Sequence, residues 1–194
     1  MTQTPADDRS GETAGPPASN ALVPDDKDWT WTLRERCAEC GFQAAAVAGE
    51  DIATLVTAYT DPWPDVLARP GAATRPDPGT WSPLEYGCHV RDVCRIFERR
   101  LRLMLSEDAP TFPNWDQDET AVTERYGEQD PALVGREVTE AAAALAGAFA
   151  GVPAAAWDRT GLRSNGSEFT VLTLGQYVLH DLAHHLRDVG IALP

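Results

Sequence analysis

The stretch SPLEYGCHVRDVCRIFERRLRLMLS, residues 82–106, decides the fold. Its first four residues are a helix start. Ser82 can serve as N-cap, Pro83 fills the first helical position where no amide is needed, and Glu85 can return a bond to the cap's own amide. Behind this start, Tyr86, Val90, Val93, Phe97, Leu101 and Met104 fall on one stripe at helical spacing. A helix this long and apolar on one face has to bury that face against other elements.

The flanking chain supplies the partners. Ile52, Leu55, Val56 and Tyr59 repeat at i, i+3, i+4, i+7 before Pro62 and Pro64 break the pattern. Asp130-Pro131 repeats the cap-then-proline signature and leads into Val134, Val138, Leu145 and Phe149 before Gly151. A shorter helix is expected over about 116–126. The last helix follows the glycine turn SNGSEF. Its capping pattern is read at Thr173-Leu174-Gly175-Gln176, it runs to about Val189, and Gly190 stops it. Strand signals are limited to short pieces such as Trp29 to Leu33 and Phe169 to Leu172. Four helices of roughly 15–25 residues, joined by one or two long connections, predict an all-α four-helix bundle.

The 194 residues suit a single domain. Proline, glycine, alanine and acidic residues dominate residues 1–27, which predicts a disordered N-terminal segment ahead of a folded domain spanning 28–194. The formal charge of -14, with no basic stripe, excludes nucleic acid and anionic membrane surfaces as partners. AAAALAGAFAGVPAAAW, from Ala141, is too weakly apolar for a membrane span and is interrupted by Pro153. No positively charged, apolar leader opens the sequence, so a soluble cytoplasmic protein with reduced thiols is expected.

Three of the four histidines lie in HDLAHHLRD, residues 180–188. At about 100° per residue, Leu174, Val178, Leu179, Leu182, Leu186 and Val189 define the buried arc of this helix. Asp181 and His185 fall at its edge, while His180 and His184 fall on the polar side with Thr173, Gln176 and Arg187. Spacing of i, i+4 stacks Asp181 and His185 on one face, close enough to share a metal ion. His89 lies within the apolar arc of 82–106 and also faces inward. Ligands from facing helices converge in a bundle core, so His89, Asp181 and His185 can form a three-ligand site with open positions, which means reactivity rather than scaffolding. The bland alternative is a hydrogen-bonded core histidine plus an HxxxH pattern arising by chance on a surface face.

Cys37 and Cys40, in WTLRERCAECGF, form a single CxxC. That is half of a zinc ribbon with no second CxxC to complete it, and the βαβ context of a thioredoxin-like pair is missing. Cys88 points about 100° away from His89 and is a poor co-ligand. Cys94 reads as a small core residue.

WSPLEYGCHVRD (Trp81 to Asp92), NWDQDE (Asn114 to Glu119) and DRTGLRSNGSEFTVLTLGQYVLHDLAHHLRDV (Asp158 to Val189) resemble the DinB-like superfamily, nearest its actinobacterial branch of mycothiol-dependent maleylpyruvate isomerases. The resemblance covers nearly everything from Asp28 onward. It implies a bundle, often a homodimer, holding a divalent metal such as zinc or nickel. Trp81 and His89 match the tryptophan and first ligand of that pattern; Asp181, His185 and Asp188 match the closing ligand pair and a following aspartate. Asp181 stands where histidine or glutamate is more usual, so His180 and His184 are the alternative pair. The resemblance also implies a thiol S-transferase of the mycothiol type, with a low-molecular-weight thiol as co-substrate and a small electrophilic molecule as substrate. Trp115, Asp116, Arg163 and Tyr177 are the expected substrate-binding residues, and Arg159 with Arg163 sits where loops reach the mouth of a bundle. A metal-dependent hydrolase, a non-catalytic small-molecule-binding bundle and an oxygen-using iron enzyme are the competing readings, because two histidines and a carboxylate suit each.

Overall fold

The computed structural model describes residues 28–193. The segment 1–27, expected to be disordered, lies outside the described residues. Among the described residues six α-helices run α1 (Ile52–Thr60), α2 (Trp63–Leu67), α3 (Pro83–Ser106), α4 (Gln117–Thr123), α5 (Pro131–Ala150) and α6 (Val171–Asp188). The bundle is made by α1 with α2, α3, α5 and α6. Its largest interface is α3 on α5, α1 packs on both α5 and α6, and α6 closes the ring against α3.

Local chemistry sets these boundaries. Ser82 Oγ accepts from the Glu85 amide while the Glu85 carboxylate accepts from the Ser82 amide at 2.8 Å, a complete capping box. Arg75 pairs with the same carboxylate, tying the preceding loop to the start of α3. Asp130 caps α5 through the Leu133 amide ahead of Pro131. The helix of Ile52 to Tyr59 ends at Thr60, and the two prolines reset the chain into the short α2. After α6, the Ile191 amide donates to the Leu186 carbonyl and the Gly190 amide to that of Arg187, with Gly190 at φ +76. That is the expected glycine stop.

Two boundary expectations need correction. Trp29–Leu33 is a 3-10 turn capped by Asp28, not a strand; its aromatic residues pack on α6 rather than into a ladder. The α6 capping box is Thr170 with Thr173, three residues before the predicted one, because Thr170 ends a strand and the helix starts at once. Gln176, assigned to that later box, instead donates from its buried amide to the Val47 carbonyl at 3.0 Å. A small sheet joins β1 (Thr111–Phe112), β2 (Thr160–Arg163) and β3 (Glu168–Thr170) in the order β1-β2-β3, with β1 parallel and β3 antiparallel to β2. It lies at the start of α6 and leaves the all-α architecture intact.

The core is continuous from Ile52 through Trp63, Leu84, Leu101, Leu145 and Phe149 to Leu179 and Leu182. One glycine sets the distance between helices. A Cβ on Gly175 would stand 2.4 Å from Ile52 Cδ1 and 2.9 Å from Phe149, so a side chain there would displace the groups that α1 and α5 pack against α6.

Candidate metal centre

His89 projects from the second turn of α3 with no exposed surface, and α6 brings Asp181 and His185 to meet it. One donor atom from each lies within 4.8 Å of the others. Asp181 Oδ1 stands 3.3 Å from His89 Nε2 and 3.6 Å from His185 Nε2. Direct charge-assisted bonds are shorter, about 2.7–2.9 Å, as in the 2.9 Å contact of His185 Nδ1 with Asp188. Ligand atoms about 2.0–2.2 Å from a common centre at tetrahedral angles stand roughly 3.3–3.6 Å apart. Asp181 thus bonds His89 across the gap between the helices, and the spacing of the three groups also matches that of donors facing a shared point.

Electrostatics favours an ionised Asp181 and an uncharged His89, the states a cation needs. Burial by itself would raise the Asp181 carboxyl, but the facing His89 and His185 rings hold it down at about 2. Burial lowers the His89 imidazole below its usual range against the pull of Asp181, which favours the neutral ring. Asp188 is also buried enough to be raised, yet its bond to His185 holds it low. This ionised carboxylate accepts the hydrogen bond of His185 Nδ1–H, which leaves the Nε2 lone pair on the side of Asp181.

Aromatic rings enclose the donors. Trp115 stacks on His89 at 5.3 Å and 11°, Trp81 packs against the same ring at 5.4 Å, and Tyr86 lies 5.2 Å from His185. In front is a cavity of about 300 Å³, walled by Trp29, Trp81, Tyr86 and Tyr177 and reached by Gln117 and Asp118 from α4. Asp181 and His185 line it, so one side of the donor set is open to a small molecule.

The remaining expected residues are dispersed. Tyr177 forms cavity wall, stacked on Phe97. Arg163 lies behind it, its guanidinium 5.8 Å from the Tyr177 ring and bonded to Asn165 and Ser167. Asp116 caps α4 through the Glu119 amide, and the next two residues face the cavity instead. Arg159 is not at the mouth: it donates to the Met104 and Glu107 carbonyls at the end of α3. Cys88 turns toward Tyr126 and Gln129, away from His89.

The placing of His180 and His184 on the polar side is the main correction. His180 is 4% exposed, because the turns at Trp29–Leu33 and Ala44–Ala46 cover this face of α6. Trp29, which sequence reasoning passed over, packs 5.6 Å from His180 and 5.2 Å from His184 while walling the cavity. The aromatic pair Trp29 and Trp31, directly after an acidic lead-in, was the available signal.

Among solved structures the chain is similar to YfiT from Bacillus subtilis, described as a probable metal-dependent hydrolase with an unusual four-helix bundle topology. The TM-score is 0.60 at 17% identity, covering 72% of this chain and 85% of that one. At that identity the likeness concerns the fold. No curated protein matches the chain in sequence. No helix among the described residues is long and apolar enough to cross a membrane. A family model described as DinB superfamily matches residues 56–189, which include all three convergent donors, and the chain belongs to the DinB superfamily.

Proposed function

We propose that the protein is a metal-dependent enzyme in which His89, Asp181 and His185 hold one divalent cation, and that it transfers a low-molecular-weight thiol of the mycothiol type to a small electrophilic substrate. The observation that carries this reading is the convergence of three donors at the edge of an aromatic cavity, with a side left open. A cation bound there keeps a thiol in its reactive thiolate form at neutral pH.

The chain's own residues have separable tasks. Asp188 orients His185 and removes the ambiguity of its tautomer. Trp81 and Trp115 cover the His89 ring and keep water from its flanks. Trp29 and Tyr177 offer flat surfaces to a bound molecule. Arg163 is buried, bonded to Asn165 and Ser167, and packs on the rear of Tyr177, so it braces the cavity wall.

Hydrolysis is the second reading, because the same donor set can activate water and YfiT is described as a probable metal-dependent hydrolase. The test is elemental analysis followed by thiol assays on the metal-loaded protein. His89→Ala, Asp181→Ala and His185→Ala each lose the ion, and the wild type binds and consumes a low-molecular-weight thiol. Stoichiometric metal with neither binding nor consumption of any such thiol refutes thiol transfer. Metal-dependent cleavage of a test ester or amide would then favour water as nucleophile.

A further inference from the structure

A second cluster of donors lies beside the first on the same helix. Cys37, Cys40, His180 and His184 each place one donor atom within 4.8 Å of the other three. We propose that these four residues form a closed, tetrahedral zinc site, distinct from the His89 centre, that clamps the segment preceding α1 onto α6.

The residue types and spacing are those zinc selects. CxxC on one segment and HxxxH on another give two sulfur and two nitrogen donors, a combination that suits a d10 ion without geometric demands of its own. Cys37 Sγ and His184 Nδ1 are 3.8 Å apart. Sulfur and nitrogen ligands about 2.3 and 2.0 Å from a tetrahedral zinc stand roughly 3.5 Å apart. Both sides of the cluster are shaped for the purpose. The Gly41 amide donates to the Cys37 carbonyl, the Cys37 amide to the Phe42 carbonyl, and Gly41 turns the chain at φ +78, so both sulfurs are presented from one tight loop. His184 Nε2 faces the Glu39 carboxylate at 3.7 Å, the outer partner a metal-bound imidazole commonly has.

The independent sign of a missing ligand is His180. Its ring is 4% exposed, and its Nε2 is buried without a hydrogen-bond partner. An imidazole nitrogen in that state carries a desolvation penalty with nothing to offset it. A dithiol pair acting alone would explain neither this nitrogen nor the recruitment of two histidines. A four-ligand set leaves no position for substrate, so its role is to hold structure. What it holds is functional: Trp29 packs on both histidine rings and forms part of the cavity wall in front of Asp181 and His185. Adjacent residue pairs on α6, His180 with Asp181 and His184 with His185, thereby serve two ions in neighbouring directions.

Cobalt substitution of the full-length protein, reduced with a phosphine, tests this without reference to activity. Thiolate-bound cobalt gives an intense near-ultraviolet sulfur-to-cobalt charge-transfer band. The band is expected in the wild type and in Asp181→Ala, and absent in Cys37→Ser/Cys40→Ser, where bound zinc falls by one ion per chain. His180→Ala weakens it, and tryptic cleavage within residues 29–47 rises in the cysteine variant. Absence of the band from cobalt-saturated wild type overturns the proposal and requires no variant to fold. Persistence of the band in Cys37→Ser/Cys40→Ser overturns it too, by assigning the sulfur to Cys88 or Cys94. Because Asp181→Ala removes only the first centre, failure of the catalytic reading and failure of this one are distinguishable.

Discussion

Asp188 touches the proposed cation only through His185, so changing it isolates what the outer carboxylate contributes. Its Oδ2 accepts from His185 Nδ1 at 2.9 Å, and its side chain is 16% exposed, so water is a poor replacement. Asp188→Asn keeps an acceptor of the same shape but removes the negative charge that makes the ring a better donor. Asp188→Ala removes both and frees the ring to rotate. Loss of such an outer partner lowers metal affinity by about 10- to 100-fold, or about 1.4–2.7 kcal/mol. The asparagine variant should fall at the low end and the alanine variant at the high end. Competition against a chromophoric chelator at pH 7 reads the affinity of the His89 centre, with Cys37→Ser/Cys40→Ser as background so that a single class of site is titrated. Affinities within twofold of that background in both variants would refute the account of His185 as a ligand fixed through Nδ1. The reverse order, asparagine worse than alanine, would show that the amide has taken up a competing bond.

The other expectations concern stability and the cavity. Gly175→Ala forces Ile52 and Phe149 to move and should destabilise the fold by about 1–3 kcal/mol in denaturant titration; an unchanged midpoint would mean that α1 yields freely. Glu85→Gln keeps the shape of the capping box but loses the charge facing Arg75, costing about 1–3 kcal/mol at pH 7. Burial opposes ionisation of Glu85, but Arg75 and Ser82 together hold its folded pKa below the usual 4.5. Its contribution is therefore fully present above that value and lost as pH falls through the folded one. The gap in thermal midpoint between wild type and Glu85→Gln should accordingly close with acidification, and a gap constant down to pH 3 would contradict the sign. Trp115→Ala uncovers one face of His89; it should speed metal loss to a chelator while leaving the helical circular dichroism intact.

The bundle was legible because its signals are local. Ser82-Pro83-Leu84-Glu85 and Asp130-Pro131 act within one helical turn, and the apolar stripes they introduce have a single period, so α3 and α5 begin and end as read. The sheet was not legible, because β1 is two residues long and pairs with a strand some fifty residues later. The Trp29–Leu33 turn misled for a related reason. Aromatic and β-branched residues favour strands on half-buried surfaces, but here the half-buried surface is a helix.

The same non-local contact explains why the helical wheel misjudged the face that carries His180 and His184. A wheel divides a helix into a face toward the bundle and a face toward water, and by that rule His180 and His184 belonged outside. It takes no account of chain that returns to cover the second face. Residues 29–47 do so, and with Trp29, Cys37 and Phe42 packed against α6 the polar side becomes a second interior. The missing half of the CxxC was in the sequence throughout, as an HxxxH some 140 residues downstream of Cys40. Sequence alone reads that HxxxH as chance or as an alternative ligand pair for the first centre, because zinc motifs are recognised when their halves are close in sequence. Where a helix carries two overlapping i, i+4 pairs of donors, one pair at the edge of the core stripe and the other a residue before it, each pair needs its own covering element. A short CxxC segment outside the main bundle is the partner the outer pair calls for.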